Sequence, residues 1–229
     1  MQKIRVIDFE TTGTPEDAVK AVCEVGWTDV TADWAISAPQ SFLVNPGHPI
    51  PAVTRAVHHI SDADVVGAVD PGTAMLRLSE GMGPDDIFAA HNAAFEQAFF
   101  AGCGRRWICT MKCAQHLLPD APRHSNQVLR YWLDVDPEFA DPSYAMPMHR
   151  AGPDTYVTAH ILTRLLFISN PDELVRLTTA PVVLQTITFG KHRGSKWADL
   201  PSDYLAWIVN KSDLGSDEKH TARHFLGAR

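Results

Sequence analysis

A chain of 229 residues, 45% hydrophobic and 21% charged, is long enough for one substantial core, or a core with a small satellite, and excludes a disordered protein. It contains no apolar run near the roughly 18 residues of a spanning helix, and MQKIRVID enters a strand in place of a basic-then-apolar leader, so a cytoplasmic protein with no membrane partner is expected. The net charge of −7 excludes binding to nucleic acid by bulk electrostatics alone, while leaving room for a local site.

The chain opens with KIRVIDFE, which reads as a strand, and AVCEVGWTDV and residues 34–44 read as two more before the Pro-rich NPGHPIP ends the meander. Helical periodicity follows over 51–57 and 71–80, then a strand in DIFAAHN, a helix over 94–101 and a short strand at RWICT. Helices resume at MKCAQHLL, at NQVLRYWL with Ser125 or Asn126 as cap, and from Pro153 to about residue 169. Strands first, then strand and helix in alternation, predict an α/β protein with a mixed sheet covered by helices. Pro171 and Pro181 bracket a last connecting helix, which places a boundary near residues 178–181, between a domain at 1–179 and a module at 180–229. Charge divides at the same place: after Pro181 seven Lys and Arg stand against five Asp and Glu, giving +2, and the remainder carries −9. The four cysteines, Cys23, Cys103, Cys109 and Cys113, lack paired CxxC spacing and suit a reducing compartment. Cys109, Cys113 and His116 could share a helix face and hold zinc, but buried thiols are the simpler expectation.

The chemistry begins at VIDFETTG. Alternate side chains of a strand share a face, so Asp8 and Glu10 point together while Phe9 points oppositely into apolar packing. Two further acids stand in suggestive places: Glu96 in HNAAFEQ, just after a strand, and Asp154 in MHRAGPDTY, at the start of a helix, with His149 five residues earlier. Four converging carboxylates repel one another unless divalent cations occupy the point of convergence, and hard oxygen donors suit magnesium or manganese. Two such ions about 4 Å apart activate a water and stabilise the leaving oxygen of a phosphodiester. A nearby histidine is suited to take the proton from that water. His91 and Asn92, at a strand end, read first as loop-shaping groups.

VIDFETTG, AHNAAFE and HRAGPD together resemble the three motifs of the DEDDh 3'→5' exonucleases, the family that includes the proofreading subunit of replicative DNA polymerase. AVHHI, RWICTMK, HSNQVL and TFGKHRGSKWADLPSDYLAWI extend the resemblance over nearly the whole chain and point to the exodeoxyribonuclease X group within that family. The resemblance implies a ribonuclease H-like fold, a five-stranded mixed sheet flanked by helices, plus a small C-terminal module. It implies that Asp8, Glu10, Asp154 and Glu96 hold two magnesium or manganese ions, and that His149 is the general base. Thr11, His58, Asn92 and Phe95 would then meet the terminal nucleotide. Lys191 and Arg193, in a basic turn whose Gly190 and Gly194 let backbone approach a phosphate, complete the substrate-binding set.

Three departures accompany the resemblance. Phe9 replaces the threonine usual between the first two acids and is expected to alter packing more than chemistry. Gly152 and Pro153 are expected to start the helix at Pro153 and leave His149 on a loop. Glu96 keeps the charge of the family's aspartate but adds a methylene, which is expected to loosen or displace the second ion. The reading as a whole is a metal-dependent 3'→5' DNA exonuclease releasing nucleoside 5'-monophosphates in DNA repair or end processing. Its partners are DNA 3' ends, single-stranded ones preferred, with oligomeric state open between monomer and homodimer. The alternatives are an RNA 3'-end trimmer and a catalytically weakened nucleic-acid-binding protein on the same fold.

Overall fold

In the computed structural model, which describes residues 2–228, strand β1 (Ile4–Thr11) is the middle of a five-stranded mixed sheet. It pairs antiparallel with β2 (Val22–Val30), which pairs antiparallel with the edge strand β3 (Gln40–Leu43). On its other side β1 runs parallel to β4 (Ile87–Ala90), and β4 parallel to β5 (Arg106–Cys109), giving the order β3-β2-β1-β4-β5. This is the mixed sheet expected from the element order, in the ribonuclease H-like arrangement that the resemblance implies. The third strand is shorter than the expected 34–44. Trp34 takes a left-handed φ of 66° and Pro39 has no N–H, so the stretch before Gln40 makes only the bridge from Ile36 to Val30.

Period-two alternation along β1 divides the core. Ile4 and Val6 pack on one face with Val157, Ile161 and Leu165 of the long helix α6 (Ala151–Ile168), whereas Ile7 and Phe9 pack on the other with Ala74 and Leu78 of α2 (Pro71–Ser79). The α6 face also carries α4 (Thr110–Leu117), α5 (Asn126–Trp132) and α7 (Pro171–Thr179). Two short helices complete this part: α1 (Ala52–His58), and α3 (Ala93–Gln97), which closes earlier than the expected 94–101, with the N–H groups of Phe99 and Phe100 turning onto the Glu96 carbonyl.

Helix α6 starts at Ala151, two residues before the expected Pro153. A proline in the first turn is tolerated because N–H groups there have no intrahelical acceptor to lose. His149 does lie outside the helix, at φ 58°. The helix start presses directly on β2: a Cβ added at Gly26 would overlap the Ala151 carbonyl group.

Beyond α7, residues 180–185 run extended to two 3-10 turns, Gly190–His192 and Trp197–Asp199, and two helices, α8 (Ser202–Lys211) and α9 (Ser216–Gly227). These have their own apolar cluster around the fully buried Trp197, with Ile187, Leu205, Ile208 and Ala222. Asp217 of α9 links this part inward and outward: it accepts the Val182 N–H at 3.1 Å, and Lys112 of α4 pairs with the same carboxylate at 3.4 Å. Among the described residues no helix is long and apolar enough to cross a membrane.

Because the approach at Gly26 leaves no room for a side chain, Gly26→Ala should destabilise the protein by about 1–3 kcal/mol. Urea unfolding of the purified variant measures this, and an unchanged midpoint would contradict direct contact between β2 and the head of α6.

Candidate active site

Asp8 and Glu10 leave β1 on the α6 face, and Asp154 stands in the first turn of α6, where the positive end of the helix dipole favours a carboxylate. One oxygen from each of the three lies within 4.8 Å of the others. The junction that makes this convergence is Glu24. It sits opposite Glu10 in the β1–β2 register, only 1% exposed, and accepts from Arg150 Nε at 2.9 Å, Arg150 Nη2 at 2.8 Å and the Ala151 N–H at 3.0 Å. The head of α6 is thereby fastened to β2. Asp154 is oriented further by the His149 N–H on Oδ2 at 2.9 Å and by Gln127 Nε2 on Oδ1 at 3.3 Å.

The electrostatics record the crowding. Burial, then the charges of Glu10, Asp154 and Glu24, push the Asp8 carboxyl well above its ordinary value. Burial, then Asp154 and Glu24, lift Glu10 to about 8, against the opposing pull of Arg150. Asp154 is raised chiefly by burial, with the backbone N–H of His149 acting the other way. Glu96 on α3 lies outside the set of three but lines the same cleft of about 520 Å³. It is 4% exposed, its Oε2 has no hydrogen-bond partner, and burial and the charge of Asp8 raise it well above the usual carboxylate range. Three carboxylates in mutual reach, joined by a buried acid with an orphaned oxygen, suit a hard divalent cation better than they suit each other.

Of the residues singled out in the sequence, His149, Asn92 and Phe95 also line this cleft, with His149 exposed at its rim. His91 borders it as a fixed neutral group: burial lowers it to about 4, and its ring spans Thr110 Oγ1 at 3.0 Å and the His124 carbonyl at 2.8 Å, which agrees with a loop-shaping role. Thr11 and His58 do not line it. Thr11 is buried and donates to the Gly13 carbonyl at 2.8 Å, and His58 is buried with Nδ1 accepting the Ile60 N–H at 3.0 Å. Lys191 and Arg193 are exposed on the Gly190–His192 turn, outside the cleft. Cys109 and Cys113 are buried free thiols, and among the described residues the acidic trio alone has metal-holding geometry, so the zinc arrangement is not formed.

Glu24, Arg150 and Gln127 were not singled out by the motifs. A glutamate inside the apolar run VCEVGW was the available signal, because a charge in a strand buried on both faces requires a partner.

The sequence matches the exonuclease family over residues 6–162. It is 31% identical to exodeoxyribonuclease 10 of Escherichia coli K12, across 97% of this chain and 98% of that one. Among solved structures it is similar to exonuclease X in complex with 5' overhanging duplex DNA, at 29% identity and a TM-score of 0.66, covering 76% of this chain and 99% of that chain. Exonuclease I of E. coli in complex with an oligonucleotide shares the fold, with a TM-score of 0.58 at 14% identity, over 94% of this chain and 61% of that one. The chain belongs to the exonuclease family and is an exonuclease on a ribonuclease H-like fold, with an acidic cluster suited to divalent metal.

The raised carboxyls predict an inverted stability profile for the metal-free protein. Glu10 keeps its proton up to about pH 8 when folded, against an ordinary value of 4.5, so the folded state binds more protons than the unfolded one and stability falls as pH rises through that interval. Between pH 6.5 and 8 the chelated protein should lose thermal stability more steeply than Glu10→Gln. Millimolar magnesium should restore the parent at pH 8 but restore the variant less. Superimposable profiles for parent and variant would show that Glu10 is not strained by its neighbours.

Proposed function

We propose that this exonuclease removes nucleoside 5'-monophosphates from the 3' ends of DNA with the help of two divalent ions, magnesium or manganese, in DNA repair or end processing. The observation that carries the reading is the convergence of Asp8, Glu10 and Asp154 within 4.8 Å at the floor of a cleft with an exposed histidine at its rim. A DNA substrate is supported by the names of its relatives, exodeoxyribonuclease 10 and exonuclease X bound to DNA.

In this reading Asp8, Glu10 and Asp154 hold the cations and Glu96 supplies the fourth carboxylate, its orphaned Oε2 being the free donor. Bound cations would lower the pKa of the attacking water and neutralise charge on the leaving oxygen. His149 receives the proton from that water at its imidazole, and its position outside α6 lets the ring turn toward the cleft without moving Asp154. Phe95, backed by Phe99 with ring centres 5.3 Å apart, offers a face to the terminal base, and Asn92 stands beside it. Thr11 and His58 act from behind the cleft, Thr11 donating to the Gly13 carbonyl and His58 accepting the Ile60 N–H. Single-stranded ends are preferred because the last nucleotide must leave its partner to enter the cleft. Residues 1–179 form the catalytic domain and 180–229 a module that brings Lys191 and Arg193 to the DNA backbone. Four free thiols fit a cytoplasmic setting.

End-labelled single-stranded DNA incubated with magnesium should be shortened from its 3' end to mononucleotides, and chelator should stop it. Binding without product after long incubation would sink the reading in favour of a catalytically weakened binding protein. Asp8→Ala and Asp154→Ala should abolish turnover in folded protein, and His149→Ala should slow it about 10²- to 10⁴-fold with metal affinity retained. Glu96→Gln should lose most activity and Glu96→Asp should keep it. A Glu96→Gln variant equal to the parent in rate and metal dependence would remove Glu96 from the metal site.

A further inference from the structure

The helix α8 of the C-terminal module carries an aromatic pair of which one ring, Tyr204, packs against the module's core and the other, Trp207, faces outward. Tyr204 and Trp207, one turn apart, stack with ring centres 5.7 Å apart and planes 21° apart, and Trp207 is still 45% exposed. The Gly190–His192 turn folds over the same helix: Lys191 Nζ lies 5.4 Å from the centre of the Tyr204 ring, and the His192 ring meets Tyr204 edge-on at 4.6 Å. Among the ion pairs of the described residues none engages Lys191, Arg193 or Lys196, all three of them exposed. An exposed indole stacked on a second ring, with Lys191 over that second ring and Arg193 exposed on the same turn, matches what an unpaired nucleic-acid strand requires: a π-face for a base and positive charge for the phosphates on either side of it.

The position of the platform connects it to the catalytic cleft. Ser125, at the head of α5, borders both that cleft and a second cavity of about 280 Å³. The second cavity is bounded on one side by Arg123 and His124 and on the other by the segment through Thr186 and Thr188, which leads directly into the Gly190–His192 turn. Thr186 also pairs with Lys196 in an isolated bridge, placing a third cation at this edge.

We infer that Tyr204 and Trp207, with Lys191 and Arg193, form a single-strand stacking platform that holds the substrate's unpaired DNA upstream of the 3' end, the strand passing from the cleft through the Ser125 groove. The occupant is single-stranded DNA and not a duplex, because stacking on Trp207 needs a base face that pairing and neighbour stacking would conceal. Charge complementarity points the same way. A polyanion meets −9 over the residues through Pro181 and +2 after it, so the module is where a long strand is drawn in. The inference rests on the proposed DNA exonuclease activity for its occupant, but Trp207 takes no part in the catalytic cleft.

The test is equilibrium binding of the full-length protein, in chelator so that nothing is cleaved, to a fluorescent 30-nucleotide single strand and to a blunt duplex of the same sequence. Trp207→Ala should weaken single-strand binding about tenfold, in line with the usual worth of one base–aromatic stack. Trp207→Phe should recover most of that loss, and duplex affinity should change little. Lys191→Ala combined with Arg193→Ala should reduce the salt dependence of single-strand binding. Unaltered single-strand affinity for Trp207→Ala, or an equal loss on duplex, overturns the platform. So does a Trp207→Ala variant that changes the sedimentation of the protein while binding DNA as before, which would make the face a contact with a second copy of the chain. Cleavage by the parent protein with magnesium is scored separately: no degradation sinks the exonuclease reading, whereas degradation together with unaltered Trp207→Ala binding sinks the platform alone.

Discussion

The three-point bond between Glu24 and the head of α6 is the constraint on which the site depends. Asp8 and Glu10 come from β1 and Asp154 from a helix more than 140 residues away in sequence, and their mutual repulsion opposes bringing them together. Glu24 answers that repulsion by gripping Arg150 with both oxygens and the Ala151 N–H with one of them. Bidentate carboxylate–guanidinium contacts are among the stronger polar interactions, and losing the half-exposed Arg150 would leave the buried Glu24 carboxylate without its counter-charge. The pair acts on charge as well as position. At Glu10 the two partners act in opposite directions, Glu24 raising it and Arg150 lowering it, while Glu24 also raises Asp8 and Asp154.

The clamp works only if the β1–β2 register is held, since a slip of one residue would turn Asp8 and Glu10 to the opposite face. A second, part-buried ion pair fixes the register near the other end of these strands. Arg5 of β1 meets both oxygens of Asp29 on β2, at 2.7 and 2.8 Å, and its remaining nitrogen reaches the carbonyls of Leu78 and Glu80 at the end of α2. Gly26 lies between the two pairs and lets α6 approach β2 without a side chain intervening. Two ionic fasteners and a gap therefore place Asp154, while the apolar alternation of β1 determines which face it meets.

Much of this was legible in the sequence because it depends on local periodicity. VIDFETTG assigns Asp8 and Glu10 to one face by alternation alone, and IRVID, IFAA and RWIC announce the buried strands around them. The convergence with Asp154 was legible only through motif order, because no local rule brings residue 154 to residue 8. Glu24 and Arg150 were missed for the same reason: their meaning lies in each other, 126 residues apart. His58 was legible only as part of the AVHHI motif, and the structure places its ring against the Ile60 N–H and beside Cys23, outside the residues that line the cleft. The start of α6 was misjudged because Pro153 was expected to keep the residue before it out of helical geometry, whereas Gly152 has no Cβ for the proline ring to meet and lies within the helix.

Taken together, the charges explain why an acidic protein can work on a polyanion. A cluster of carboxylates at the floor of the cleft repels phosphate as strongly as it repels itself, and the −9 of residues through Pro181 extends that field beyond the site. In the proposed reaction divalent cations would reverse the sign at the point of cleavage, but their influence would be screened within about 8 Å at physiological salt, too short a range to guide a strand of many nucleotides. Under the same proposal, positive charge for the rest of the strand would come from the exposed cations after Pro181. In the proposed reaction this separation would keep lysines out of the cleft, where they would form an ion pair with Asp8 or Glu10 and compete with the cation, while the nearby Arg150 is already engaged by Glu24. An acidic centre and a basic outlying module are two consequences of the same electrostatic requirement.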